Sequence, residues 1–216
     1  MPRVLILFFA LSLGVFAQSP APRTVIVFGD SITAGGALPK KEREHLWVTQ
    51  VQQLSAGALT LINEGKGGRP TNSLPEFEAM LKRFAKADAL VIALGMNDSR
   101  DITPQCIPKA VANVRAMIEK TRAVYGAKLP VLLVGPTNIN KAALGPTKPI
   151  ANEREAKLRE LGAAFEKLAA ETKSEFVSLF GIVPDLSLLK DGVHPDGAGN
   201  DAIAKVMGEK LKALRW

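Results

Sequence analysis

The chain has 216 residues, 47% of them hydrophobic and 23% charged, which is the balance of a globular protein and excludes a disordered or fibrous one. Its single cysteine, Cys106, excludes an intramolecular disulfide, so the core carries stability without a covalent staple. The formal net charge of +7 is spread over segments that also carry acids, such as Glu153-Arg154-Glu155 and Glu209-Lys210; with no basic block interleaved with aromatics, this reads as a solvated helical surface and excludes nucleic acid as a partner.

Taken in chain order, residues 1–17 read as a signal peptide. Met1-Pro2-Arg3 is a short basic start, Val4 to Phe16 is apolar but short for a bilayer span, and Val15-Phe16-Ala17 offers a cleavage site before Gln18. The expectation is an exported protein, periplasmic or extracellular, with no stable membrane insertion after cleavage; an uncleaved N-terminal anchor is the alternative. The remainder, 18–216, fits a single domain with a sizeable core.

Five short apolar runs follow at wide spacing: residues 24–28, 59–63, 89–94, 131–135 and 175–179. Several are continuously apolar rather than alternating, as expected of parallel strands covered on both faces. Between them lie segments of helical periodicity. One apolar face is marked by Trp47, Val51 and Leu54, and a second by Ile107, Val111, Val114, Ile118 and Val124. Leu158, Leu161, Phe165 and Leu168 mark a third, and Ile203, Val206, Met207, Leu211 and Leu214 a fourth. Strand–helix alternation predicts an α/β fold, a three-layer α/β/α sandwich around a five-stranded parallel sheet with right-handed crossovers. Residues 136–149 are rich in Pro, Gly and Asn and read as a long loop.

Ligands of open α/β sheets bind beyond the carboxyl ends of the strands, and the unusual residues of this chain fall there. Gly29-Asp30-Ser31 follows the first run, Gly65 to Gly68 the second, Asn97 the third and Thr137-Asn138 the fourth. Ser31 is the candidate nucleophile, which needs a neighbouring base. Of two histidines, His45 lies in the charged stretch Lys41-Glu42-Arg43-Glu44 and reads as a surface residue. His194 lies in Asp191-Gly192-Val193-His194-Pro195, where the three-residue spacing lets Asp191 accept from one ring nitrogen while the other faces Ser31; Asp196 then remains to cap the last helix. Ser, Asp, His is an order in which nucleophilic triads occur. Cys106 begins a helix with no histidine near it in sequence and reads as a structural thiol. Acyl transfer also needs donors for a developing oxyanion. With Ser31 and the Gly68 amide, the side chain of Asn97 would complete a three-donor set.

These four blocks resemble the SGNH hydrolase superfamily, the GDSL-type esterases and lipases. Gly29-Asp30-Ser31-Ile32, Asn63-x-Gly65-x-x-Gly68, Gly95-x-Asn97-Asp98 and Asp191-x-x-His194 occur in that family's order and span almost the whole chain after the leader. The resemblance implies a flavodoxin-like sheet and no metal or organic cofactor. It implies catalysis by Ser31, His194 and Asp191, with Ser31, Gly68 and Asn97 as the oxyanion hole and Gly67 as an alternative register for Gly68. Lys66 and Arg69 make the second block more basic than is usual, and Pro70 stiffens its exit. The expected function is a secreted serine esterase cleaving short acyl esters, acetyl above all, with a sugar O-acetyl ester as the favoured substrate. A lysophospholipase, thioesterase or acyltransferase of the same family is the alternative, and a non-catalytic carbohydrate-binding protein is the alternative from another class. The expected partner is a small-molecule or oligosaccharide ester.

Overall fold

A computed structural model describes residues 21–214. The leader expected at residues 1–17 lies outside the described residues. Among those described, no helix is long and apolar enough to cross a membrane.

Five strands, β1 (Arg23–Gly29), β2 (Leu59–Gly65), β3 (Ala89–Ala93), β4 (Val131–Gly135) and β5 (Glu175–Ser178), form one parallel sheet in the order β2-β1-β3-β4-β5. This is the flavodoxin-like doubly wound order. The helices are α1 (Ser31–Ala34), α2 (Trp47–Leu54), α3 (Leu74–Arg83), α4 (Cys106–Tyr125), α5 (Ala151–Thr172) and α6 (Gly197–Lys212).

The strand residues explain the layering. Val25 and Val27 point to one face of β1, Ile26 and Phe28 to the other, and all four are fully buried. The first face is covered by α2 and α6 through Trp47, Val51, Ile203, Met207 and Leu211. The second is covered by α3, α4 and α5 through Phe77, Met80, Met117, Ile118, Leu161 and Phe165. A strand covered on both faces has no use for polar alternation, hence the continuous apolar runs.

Some expectations need correction. The helix α3 was not foreseen. Its buried face is Phe77, Met80 and Leu81, and it opens with Leu74-Pro75 directly after the turn-rich Gly67-Gly68-Arg69-Pro70-Thr71-Asn72-Ser73, so its start reads as a continuation of the loop. Leu54 and Val124 were assigned to apolar faces, yet they are 59% and 53% exposed. Each lies in the last two residues of its helix. Arg154, read as part of a solvated helical surface, is 1% exposed. Its position on α5 turns it into the interior beneath the loop that follows β3.

Candidate active site

The strand β1 ends at Gly29, and Asp30 turns the chain into α1. The Ile32 amide donates to Asp30 Oδ1 at 3.0 Å, an N-cap bond, which leaves Ser31 at the head of a one-turn helix with its side chain half-buried. The Ser31 N–H, in the first turn, has no intrahelical acceptor. Ser31 therefore presents a hydroxyl and an N–H at the C-terminal edge of a central strand.

The turn before α6 supplies the base. The Val193 and His194 amides donate to Asp191 Oδ1 at 2.8 and 3.0 Å, while the other carboxylate oxygen lies 2.6 Å from His194 Nδ1. His194 Nε2 lies 2.8 Å from Ser31 Oγ. Burial raises the Asp191 carboxyl's pKa, but the hydrogen bonds from His194 and Val193 outweigh it and hold the group below the usual carboxylate range. An ionised Asp191 can only accept, so Nδ1 donates to it; in the neutral imidazole Nε2 is then the acceptor, and Ser31 Oγ–H donates to Nε2. Asp196 caps α6 by accepting from the Gly199 amide at 2.9 Å, as its sequence position suggested.

The strand order β2-β1-β3 sets the loops after β2 and β3 on either side of Ser31. The loop after β2 is strongly anchored. The Gly65 backbone packs so closely on α1 that a Cβ there would lie 2.3 Å from the Ala34 nitrogen, and the Asn63 amide donates to the Thr33 carbonyl at 2.8 Å. Gly68 has φ +74°, which favours glycine; a Cβ at Gly67 or Gly68 would meet nothing within 4 Å, so this backbone faces open space. Among the described residues neither glycine's N–H has an acceptor. After β3, one hydrogen of the Asn97 amide donates to the Arg69 carbonyl at 3.1 Å, and the second remains available. Asp98 binds the Thr71 amide at 3.0 and 3.1 Å and the Thr71 hydroxyl at 2.5 Å, tying this turn to the exit of the second loop.

The basic second block is structural. Arg69 is buried, stacks 4.0 Å above the Phe28 ring and donates to the Gly29 carbonyl at 2.8 Å. Glu76 on α3 accepts from Lys66 Nζ at 2.6 Å and Arg69 Nε at 3.1 Å. The Lys66 bond and then the Arg69 contacts outweigh partial desolvation and hold the Glu76 carboxyl low. These cations brace the loop and are not free for substrate. Glu76 escaped sequence reasoning because its helix did. Asn138 is likewise a brace: its amide donates to the Val183 carbonyl at 2.8 Å.

His45 bonds Asp201 at 2.9 Å on the surface and takes no part in this cluster. Cys106 is buried and its thiol donates to the Asp98 carbonyl at 3.4 Å; burial pushes its pKa up, against a nucleophilic thiolate. Among the described residues, no group of three or more His, Cys, Asp or Glu is placed to hold a metal ion.

The acid that sequence reasoning left without a task is Asp30. It is 3% exposed, and burial pushes its pKa up to about 6, against the opposing pull of the Ile32 amide and the attraction of His194. A carboxyl raised in the folded state binds more protons there than in the unfolded chain. Its contribution to stability is full below about pH 4 and is lost as pH rises through about 6; a shift of about two units is worth ~3 kcal/mol. Asp30→Asn keeps a capping oxygen without the charge. The variant is expected to be more stable than the unsubstituted protein by up to ~3 kcal/mol at pH 8, with the gap closing near pH 4. Urea midpoints at both pH values check this, and an equal gap at both would refute it.

The model of the GDSL-like Lipase/Acylhydrolase family matches residues 27–202 of the chain. Esterase TesA of Pseudomonas aeruginosa is 30% identical over 228 aligned residues, covering 98% of this chain and 99% of that protein. Among solved structures, a carbohydrate acetylesterase from Sinorhizobium meliloti superposes with a TM-score of 0.73 at 23% identity, covering 89% of this chain and 100% of that one. The M. smegmatis aryl esterase superposes with a TM-score of 0.70 at 22% identity, with the same coverage. Both structures share the fold described above.

Proposed function

The chain belongs to the GDSL-like lipase/acylhydrolase family, and from that premise we propose that it is an exported serine esterase that hydrolyses short acyl esters, acetyl above all, through an acyl-enzyme. The observation that carries the reading is the hydrogen-bonded line from Ser31 Oγ through His194 to Asp191. His194 Nε2 takes the Ser31 proton as Oγ attacks the carbonyl carbon. The negative charge that develops on the carbonyl oxygen is met by the Ser31 N–H, the Gly68 N–H and the Asn97 amide. When the tetrahedral intermediate collapses, the ester C–O bond breaks and His194 hands its proton to the leaving alcohol. Water then attacks the acyl-Ser31 carbonyl with His194 again as base, which releases the acid and restores the serine.

The acyl group is read as short by likeness to a carbohydrate acetylesterase; an apolar groove of about 340 Å³ lined by Val51, Leu54, Leu59 and Leu211 borders the N-terminal ends of β1 and β2, the edge opposite Ser31. A long chain on Ser31 does not reach it. Export rests on the leader-like residues 1–17, and the sugar ester on the likeness to a carbohydrate acetylesterase.

The test is a rate profile on 4-nitrophenyl esters from acetate to decanoate, alongside acetate release from acetylated xylooligosaccharides. The expected optimum in kcat/KM is acetate to butyrate. An optimum at octanoate or longer transfers the assignment to a lysophospholipase or thioesterase, and no hydrolysis of any ester removes the esterase reading.

A further inference from the structure

Next to His194 lies a second cavity, of about 390 Å³, that the reaction steps above do not use. Its apolar wall is Leu144, Pro146 and Val193, and three cations line it: Arg100, Arg154 and Lys190. Arg154 is the buried one of the three. Its guanidinium is 1% exposed and bonds only neutral groups, the Ser99 hydroxyl at 3.0 Å, the Thr147 hydroxyl at 2.8 Å and the Met96 sulfur at 3.4 Å. Arg100 and Lys190 are exposed, and among the described residues neither has an ion-pair partner. The one carboxylate lining the cavity, Asp191, already accepts from two amides and the His194 ring. Asp101, in the neighbouring cleft that Arg100 also borders, is taken up by the Thr103 amide at 2.9 Å.

Three like charges around one small apolar-walled space repel one another. A buried guanidinium is costly without an anion, and the carboxylate that lines this cavity with Arg154, Asp191, is shared with the His194 ring. Burial, then the charge of Arg100, pushes the Arg154 pKa down to about 10, with Asp191 opposing, which leaves it charged at neutral pH. The Lys66–Arg69 pair across the site shows the contrast, since there the fold provides Glu76. Around Arg100, Arg154 and Lys190 the described residues provide only Asp191, which is already committed to His194.

We infer that this cavity is a subsite for an anionic group, a carboxylate or a phosphate, on the alcohol part of the ester substrate. The alcohol side follows from the proton path, since His194 gives its proton to the leaving oxygen and the cavity is bounded by His194 and Asp191. The inference rests on the esterase reading for its place in the reaction but not for its chemistry. Arg100 and Lys190 supply charge from exposed positions, Arg154 supplies it from a buried one, and the apolar wall strengthens the attraction by excluding water.

Binding separates the two readings because it needs no turnover. Calorimetry compares 3-hydroxybenzoate with 3-hydroxybenzamide, and glycerol 3-phosphate with glycerol, on the full chain and on the Arg100→Gln/Lys190→Gln variant, whose exposed positions leave the core intact. In parallel, kcat/KM is compared for 3-acetoxybenzoate and 3-acetoxybenzamide. The expected result is at least one anion bound about tenfold tighter than its neutral counterpart, a preference that falls with added salt and shrinks by at least about threefold in the double variant, which keeps Arg154. The kinetic ratio follows it, and whichever acid gains more identifies the group. Equal binding of anion and neutral analogue in the unsubstituted protein, or a preference undiminished by the double substitution, overturns the subsite. Hydrolysis of both esters with no anion preference removes the subsite alone, whereas anion binding with no hydrolysis of either ester removes the esterase reading alone.

Discussion

Ser31→Ala is expected to fold like the unsubstituted protein and to lose about a millionfold in kcat on 4-nitrophenyl acetate, the scale of removing a serine nucleophile that acts as a unit with its base. Folding should survive because the position demands little. The cap of α1 is supplied by Asp30, and alanine is a good helix former. Ser31 Oγ forms its hydrogen bond with the part-exposed His194 ring, so its loss costs about 1 kcal/mol at most. The residual rate comes from whatever the oxyanion donors and binding provide without a nucleophile. A serine-directed phosphonate should label the unsubstituted protein at Ser31 and leave the variant unlabelled. A well-folded variant that keeps more than about a thousandth of the turnover would remove Ser31 from the mechanism, since among the described residues no other nucleophile has His194 beside it.

What the sequence made legible follows from what each signal measures. The run at 131–135 matches β4 to the residue, because all five side chains are buried and the run has no polar interruption. The run at 59–63 stops two residues short of the end of β2, where the strand carries Glu64 and Gly65 and reads as loop. Strand ends located the candidate site, because a parallel sheet gathers the loops after successive strands at one edge. The pairing of His194 with Asp191 was legible because three residues in one turn fix it locally. The long-range pairs were not. Lys66 and Arg69 read only as an unusually basic second block because their partner Glu76 sits on α3, whose start merges with the turn-rich loop before it. Arg154 appeared as surface for a similar reason. Its neighbours Glu153 and Glu155 are hydrophilic, and only the packing of α5 under the turn at Met96 to Ser99 turns that one residue inward. The roles of Gly68 and Asn97 came from the family resemblance as much as from the residues, since a glycine loop or a turn asparagine alone is common.

Asn97→Ala is expected to lower kcat by about a hundred- to a thousandfold while changing KM little, the cost of removing one side-chain donor from an oxyanion hole. The carbonyl oxygen of the bound ester is nearly neutral, so the Asn97 amide gains most of its strength as charge develops. Such an interaction lowers kcat and kcat/KM together. The variant also releases the Arg69 carbonyl, which now accepts from Asn97 at 3.1 Å. That loss is worth about 1 kcal/mol, or a fall of roughly 2–4 °C in Tm for a domain of this size. It loosens the joint between the second and third loops, but Asp98 still holds Thr71 through three bonds, so the Gly68 backbone should stay in place. The competing view makes Asn97 a turn-former only. On that view the substitution lowers Tm by the same few degrees and leaves the folded protein's chemistry intact. Melting temperature and single-turnover acylation, measured on one preparation, separate the two. A small fall in Tm with acylation slowed a hundredfold or more assigns Asn97 to the oxyanion, whereas the same fall with fast acylation confines it to the turn and leaves the developing charge to the Ser31 and Gly68 amides.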